Sequence, residues 1–351
     1  MALPDVLREL LCAHGTSGYE TAPAAVWREA AATFAEVRVD DMGNSFATVK
    51  GTGDGLSLGI VGHVDEIGLI VTHIDDSGFL YFAGVGGWDP QILVGQRVTV
   101  TTREGQLPGV VGKKPIHLLK GDEREKGTKL KELHIDLGAA DGDEARGLVR
   151  IGDTAVIAGE PVELPNGRAI SRAMDNRLGA FVAYEAARLV AEAGGAPGDV
   201  VGVAAVQEEI GLNGARAAAF SLRPDVAIVV DVCHATDAPG VDAKELGEHK
   251  LGSGPVVERG AILNPAVFEL LHEVCEADDI PFTVAASGRG TGTDADVVHI
   301  SRGGIPTTVV GIPLRYMHSP VEMVQVDDVL NCAKLVAAFA QRLVAGTSFG
   351  R

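Results

Sequence analysis

Residues 60–68 read IVGHVDEIG. Small and apolar positions lead into His63, and Asp65 follows two places on. In an extended strand, positions two apart face the same way. An imidazole and a carboxylate would thus stand side by side at a strand end, where open α/β sheets carry their chemistry. A single His-x-Asp pair fits a structural histidine as well as a ligand. The reading depends on the partners that the rest of the chain brings.

Upstream, residues 3–14 and 21–34 carry apolar side chains at helical spacing, the second run following a turn at Ser17, Gly18, Tyr19 and Glu20. Residues 37–39, 45–49 and 56–61 look like strands separated by turns bearing Gly and Asp. Downstream, from 69 to about 164, short β-type segments (68–74, 79–85, 97–102, 109–112, 133–137 and 154–157) are closely spaced by Gly, Asp and Pro, with one helical pattern at 143–148. That is the pattern of a small β-barrel or sandwich. Its charged run 120–131, KGDEREKGTKLK, reads as a solvated loop.

After 166 the chain alternates again. Helices are predicted at 175–193, 212–220, 265–277, 294–301 and 326–345, and strands at 200–206, 226–232, 282–286 and 307–312. This alternation predicts an α/β fold with a mostly parallel-stranded sheet flanked by helices. The expected organisation is a catalytic α/β domain formed by residues 1–67 and 165–351, interrupted by an inserted small β-barrel domain at 68–164.

The whole-chain figures exclude several classes. A chain of 351 residues can bury a substantial core. A formal charge of −18, from 48 acidic against 30 basic residues, argues against nucleic acid, whose phosphates require a basic face. No apolar run of about 18 residues supports a membrane span. The start, MALPDVLRELLCAHG, reads as a helix rather than a signal peptide. Cys12, Cys233, Cys275 and Cys332 are scattered with no CxxC pair, as expected of reduced thiols in a cytoplasmic protein.

Four further clusters fall at strand ends or helix starts. Asp175 opens the helix at 175–193, Glu208 and Glu209 end the strand VVGVAAVQEE, Asp231 ends VAIVVD, and His318 follows the strand ending near 312. Each alone has a structural explanation, such as a helix-dipole carboxylate or a solvated glutamate pair. Together, carboxylates and imidazoles at the ends of several buried strands need a cation to neutralise them. Two His and several Asp/Glu without Cys suit a pair of divalent ions rather than a thiolate zinc site. A carboxylate bridging two such ions is the pattern of a two-metal hydrolase.

In this order, GHVDEIG (62–68), AMDNRLG (173–179), VQEEIG (206–211), VVDV (229–232) and RYMHSPVEM (315–323) resemble the motifs of the M42 family of dinuclear metallo-aminopeptidases, which includes glutamyl- and leucyl-type aminopeptidases and tetrahedral peptidases. The likeness extends through GVVGKKPIHLL (109–119) and LHIDLGA (133–139) and through residues 293–313, so it spans essentially the whole chain.

The resemblance implies that Asp175 bridges two metals, that His63 and Asp231 complete one site, and that Glu209 and His318 complete the other. It implies that Glu208 is the general base and that Asp65 orients His63. It also implies two divalent ions per subunit (zinc or cobalt, with manganese possible), peptide substrates, and dimers that pair through the barrel and assemble to a dodecamer. Asn176 and Arg177 are expected to buttress the helix start, Arg315 and Tyr316 to position His318, and residues 290–294 (GTGTD) to wall the substrate pocket. Glu66 receives no role. Two alternatives stay open: a related two-metal amidohydrolase or deacylase, and a non-catalytic assembly protein.

Overall fold

Helices α1 (Asp5–Cys12) and α2 (Thr21–Ala31) lead into β1 (Glu36–Val39), β2 (Ser45–Val49) and β3 (Leu58–His63) in the computed structural model, which describes residues 2–124 and 126–350. Met1, Glu125 and Arg351, which belong to the expected opening helix segment, charged run and final catalytic segment, lie outside the described residues. Next come β4 (Gly68–Ile74), β5 (Leu80–Val85), α3 (Pro90–Leu93), β6 (Arg97–Thr102), β7 (Gly105–Gly112), β8 (His134–Asp136), α4 (Gly142–Leu148) and β9 (Thr154–Ile157). The chain continues with β10 (Val162–Leu164), β11 (Arg168–Ser171), α5 (Met174–Glu192), β12 (Val200–Ala205), α6 (Asn213–Leu222), β13 (Val226–His234) and α7 (Ala243–Leu246). Last are β14 (Val256–Gly260), α8 (Pro265–Ala277), β15 (Thr283–Ser287), α9 (Ala295–Val298), β16 (Thr307–Arg315), β17 (Glu322–Gln325) and α10 (Val326–Gln341).

The strands form one large sheet, ordered β1-β2-β12-β3-β13-β16-β17-β11-β10 with β14 and β15 branching from β16, and one closed barrel, β4-β5-β8-β7-β6-β9. At the centre of the large sheet, β12, β3, β13 and β16 run parallel; the margins β1, β2, β17, β11 and β10 pair antiparallel. The parallel strands are buried along their length because helices cover both faces. On one face α1, α2, α5, α8 and α10 enclose the main core; on the other, α6 and α9 enclose a second. The barrel has its own core around Leu69, Val98, Val100 and Ile135.

The sequence reading places the long elements within a few residues of where they lie. It passes over β10, β11, β14 and β17, each of three to five residues. In and at the end of the charged run, the described residues include two short 3-10 turns, Gly121–Arg124 and Leu130–Glu132. No helix among the described residues is long and apolar enough to cross a membrane.

One close contact sets the frame for the site. A Cβ on Gly62 of β3 would collide with the backbone of Gly179 in α5, so the strand and the helix meet backbone to backbone. This brings the start of α5, with Asp175, beside the end of β3, with His63.

Candidate metal centre

Parallel strands finish at a common edge, and the chemistry-bearing residues gather there. Ala205 of β12 is level with His63, and Val229 of β13 with Val61, so Asp231 continues level with His63. Glu208 and Glu209 follow the end of β12, and His318 lies between β16 and β17. His63, Asp175, Glu208, Glu209, Asp231 and His318 all line one cavity of about 470 Å³.

The distances are short. His63 Nε2 lies 3.3 Å from Asp175 Oδ1 and 3.6 Å from Glu208 Oε2. His318 Nε2 lies 3.3 Å from Asp175 Oδ2 and 3.4 Å from Glu209 Oε1. Asp175 thus stands between the two imidazoles. Ligand atoms of His63, Asp175 and Glu209 fall within 4.8 Å of one another, as do those of His63, Glu208 and Asp231. Geometry alone therefore groups Glu208 with two of the expected ligands. Asp65 is fully buried behind His63, with Oδ1 at 3.4 Å from Nδ1, and its two oxygens accept the backbone N–H groups of Glu208 and Glu209 at 3.1 and 3.2 Å. It ties the end of β3 to the glutamate pair.

Among the described residues no Lys or Arg lines this cavity, so these carboxylates meet one another and the imidazoles of His63 and His318. Burial, reinforced by neighbouring carboxylates, pushes Glu208 up to about 8 and Asp231 well above the usual aspartate range. Hydrogen bonds to Asp175 and Glu209 raise His318 to about 11. Burial opposes charge on His63, yet Glu208, Asp175 and Asp65 outweigh it and hold its pKa well above the ordinary value. Asp175 is held low, against its burial, by His318 and His63. Cys233 also lines the cavity, but burial pushes its thiol far up and keeps it protonated. What remains is an imidazole and carboxylate donor set with excess negative charge. That set fits divalent ions.

A family model described as M42 glutamyl aminopeptidase matches residues 43–335. The chain belongs to the M42 family. Over 347 residues it is 36% identical to the lysyl aminopeptidase of Pyrococcus furiosus, covering 97% of each chain. Its fold matches the TET aminopeptidase from the marine sediment archaeon Thaumarchaeota archaeon SCGC AB-539-E09 with a TM-score of 0.92 at 37% identity, covering 97% of both chains. It also matches the Pyrococcus horikoshii TET1 peptidase, which can assemble into a tetrahedron or a large octahedral shell, with a TM-score of 0.84 at 32% identity over 96% of this chain and 98% of that one.

Several residues that frame the site of this M42 chain escaped the sequence reading. Glu322 accepts the backbone N–H of His318 at 2.8 Å and that of Asp175 at 3.2 Å, joining two segments that carry candidate ligands. Gly87, on the barrel segment after β5, places its carbonyl 2.8 Å from His318 Nδ1; donation from Nδ1–H leaves Nε2 to face Asp175. Asp294, by contrast, is the last residue of the stretch expected to wall the pocket; it is buried with neither carboxylate oxygen hydrogen-bonded, and burial pushes it up to about 7.

Glu66 also has a definite place. It accepts from Arg172, from Arg177 at 2.8 Å and from the Gly15 N–H at 3.0 Å, all buried. The only advance signal was its position inside the decisive motif.

The expected buttresses are where the sequence put them. Asn176 donates to Val230 O at 2.8 Å and accepts from Gly179 N at 2.8 Å, while Arg177 donates to the carbonyls of Val64, Leu10 and Ala13. Thr291, Gly292 and Thr293 form a wall of the cavity. The expectation for Arg315 needs correction: its guanidinium grips Asp237 at 2.9 and 2.7 Å, and Gly87 and Glu322 hold His318 instead. Left-handed backbone at Ala173, Gln207, Tyr316 and His318 lies at or next to the candidate ligand positions, as strained backbone does at functional sites.

Proposed function

We propose that this M42 chain removes N-terminal residues from peptides by a two-metal mechanism in which Glu208 is the general base. The observation that carries the reading is the convergence of His63, Asp175, Glu208, Glu209, Asp231 and His318 in one cavity that, among the described residues, neither Lys nor Arg lines. Asp175 would be shared between two divalent ions, zinc or cobalt in first place and manganese in third. His63 and Asp231 would complete one site, Glu209 and His318 the other. When bound, the ions supply positive charge that acidifies water and polarises the scissile carbonyl.

The chain's own residues do the rest. Glu208, whose burial already favours the protonated form, takes a proton from the attacking water and passes it to the departing amine. Asp65 holds His63 and the backbone of Glu208 and Glu209 in place. Glu322 and Gly87 fix His318 from its two sides.

At the level of the molecule, the reading includes a barrel domain at 68–164 that pairs subunits and builds a dodecamer. Exposed Ile116 and Leu118 between β7 and β8 favour such a contact. Four free cysteines favour a reducing compartment such as the cytoplasm.

The test is metal-reconstituted protein assayed on aminoacyl-anilides and, in parallel, on N-acyl amino acids. Release of the anilide amine with little deacylation is expected. Hydrolysis of the acyl compounds alone would replace the aminopeptidase with a deacylase.

A further inference from the structure

Glu258 reaches the cavity through strand alternation. On β14, Val257 belongs to the main core with α8, and the Arg259 guanidinium lies 5.3 Å from the Phe268 ring of α8. Val256 and Glu258 therefore point to the opposite side. On that side Val256 and Cys233 flank Gly311. The parallel partner of Glu258 on β15 is Ala285, which lines the cavity too, and two residues earlier Thr283 Oγ1 sits 2.8 Å from His249 Nδ1.

Among the described residues, Glu258 is the one acidic side chain lining the cavity besides the expected ligands and the expected base Glu208. His249 offers no charge to oppose it: its ring nitrogens meet Thr283 Oγ1 at 2.8 Å and Leu246 O at 3.0 Å, and burial lowers its pKa. Among the described residues no ion pair or hydrogen bond engages the Glu258 carboxylate. Burial, with the charge of Asp296 nearby, pushes that carboxyl up to about 7. A carboxylate so placed gains most from an incoming cation.

We propose that Glu258 is the specificity-determining residue of this site and selects peptides whose N-terminal side chain ends in a cation, lysine or arginine. The aliphatic stem would lie along Val232 and Leu246 and the charged head would meet Glu258. An acidic N-terminal residue would face an uncompensated like charge and be rejected. The inference rests on the aminopeptidase reading.

The test compares kcat/KM for lysyl, arginyl, norleucyl and glutamyl anilides, norleucine being the neutral counterpart of lysine. Wild-type protein is expected to favour lysyl over norleucyl by at least about tenfold, and Glu258→Gln to reduce that ratio by a similar factor. Glu258→Lys is expected to move the preference toward glutamyl. A norleucyl rate equal to the lysyl rate in the wild type, or a ratio unchanged in Glu258→Gln, overturns the proposal.

Calorimetric binding of free L-lysine and L-norleucine separates the two readings. Protein that hydrolyses no anilide yet binds lysine over norleucine through Glu258 refutes the aminopeptidase and keeps the selectivity. Anilide hydrolysis without a cation preference refutes the selectivity alone.

Discussion

Asp175 and Glu208 share a cavity but are expected to fail differently. Asp175→Ala removes the carboxylate that stands between both imidazoles, so bound metal and turnover should both be lost. Glu208→Ala should keep its metal, measured by elemental analysis, while turnover on an aminoacyl-anilide falls by about 10²- to 10⁴-fold. Near-normal turnover in that variant would end its assignment as the base.

The imidazoles carry a second prediction. Both have raised pKa values in the metal-free fold, His318 at about 11 against an ordinary 6.5. Their pairing with carboxylates therefore stabilises the metal-free protein fully below the ordinary value and is lost as pH climbs toward the raised one. A divalent ion must displace those protons, so metal affinity should rise between about pH 6 and about pH 8, with proton release seen by calorimetry in buffers of different ionisation enthalpy. An affinity independent of pH would contradict it. The candidate ligands were legible because their residue types are costly at buried strand ends. Glu322 and Gly87 were not, since one works through backbone N–H groups and the other through its carbonyl, across 147 and 231 positions of sequence.

Between elements, the contact of β3 with α5 and the Glu66 clamp hold the site's frame. Gly62→Ala should lower the melting temperature, at about 1 to 3 kcal/mol, because two backbones must separate to admit a methyl group. Glu66→Gln should be harsher, at about 3 to 5 kcal/mol, since it leaves two buried guanidinium groups without their counter-charge. The Glu66 carboxyl is held below its ordinary 4.5, against its burial, by Arg172 and Arg177. Its contribution is present above that value and fades as pH falls through the depressed one. Denaturant melts at about pH 7 and about pH 4 should show wild type losing more stability on acidification than Glu66→Gln; parallel losses would remove the clamp from the account. The long parallel strands and helices were readable from unbroken apolar runs and helical spacing. β14 and β17 were not, because strands of five and four residues take their identity from the neighbour they pair with.

For the whole molecule, a centre built around excess carboxylate charge should couple metal to folding. Chelation should lower the melting temperature and added zinc or cobalt restore it, by about 3 kcal/mol when the free ion is at a hundredfold excess over its dissociation constant. A melting temperature indifferent to chelator would contradict this. The inserted barrel was visible as a change of texture after residue 68, but its contact with the site through Gly87 was not.

That contact gains meaning beside the clamp at the barrel's neck. The chain enters the barrel just after Glu66, three residues beyond His63, and after leaving it at Ile157 passes through β10 and β11 to Arg172, three residues before Asp175; Glu66 and Arg172 are bound to each other. A shift of the barrel against the large sheet would therefore load the Glu66–Arg172 pair and the Gly87 contact with His318, both of them beside the candidate ligands.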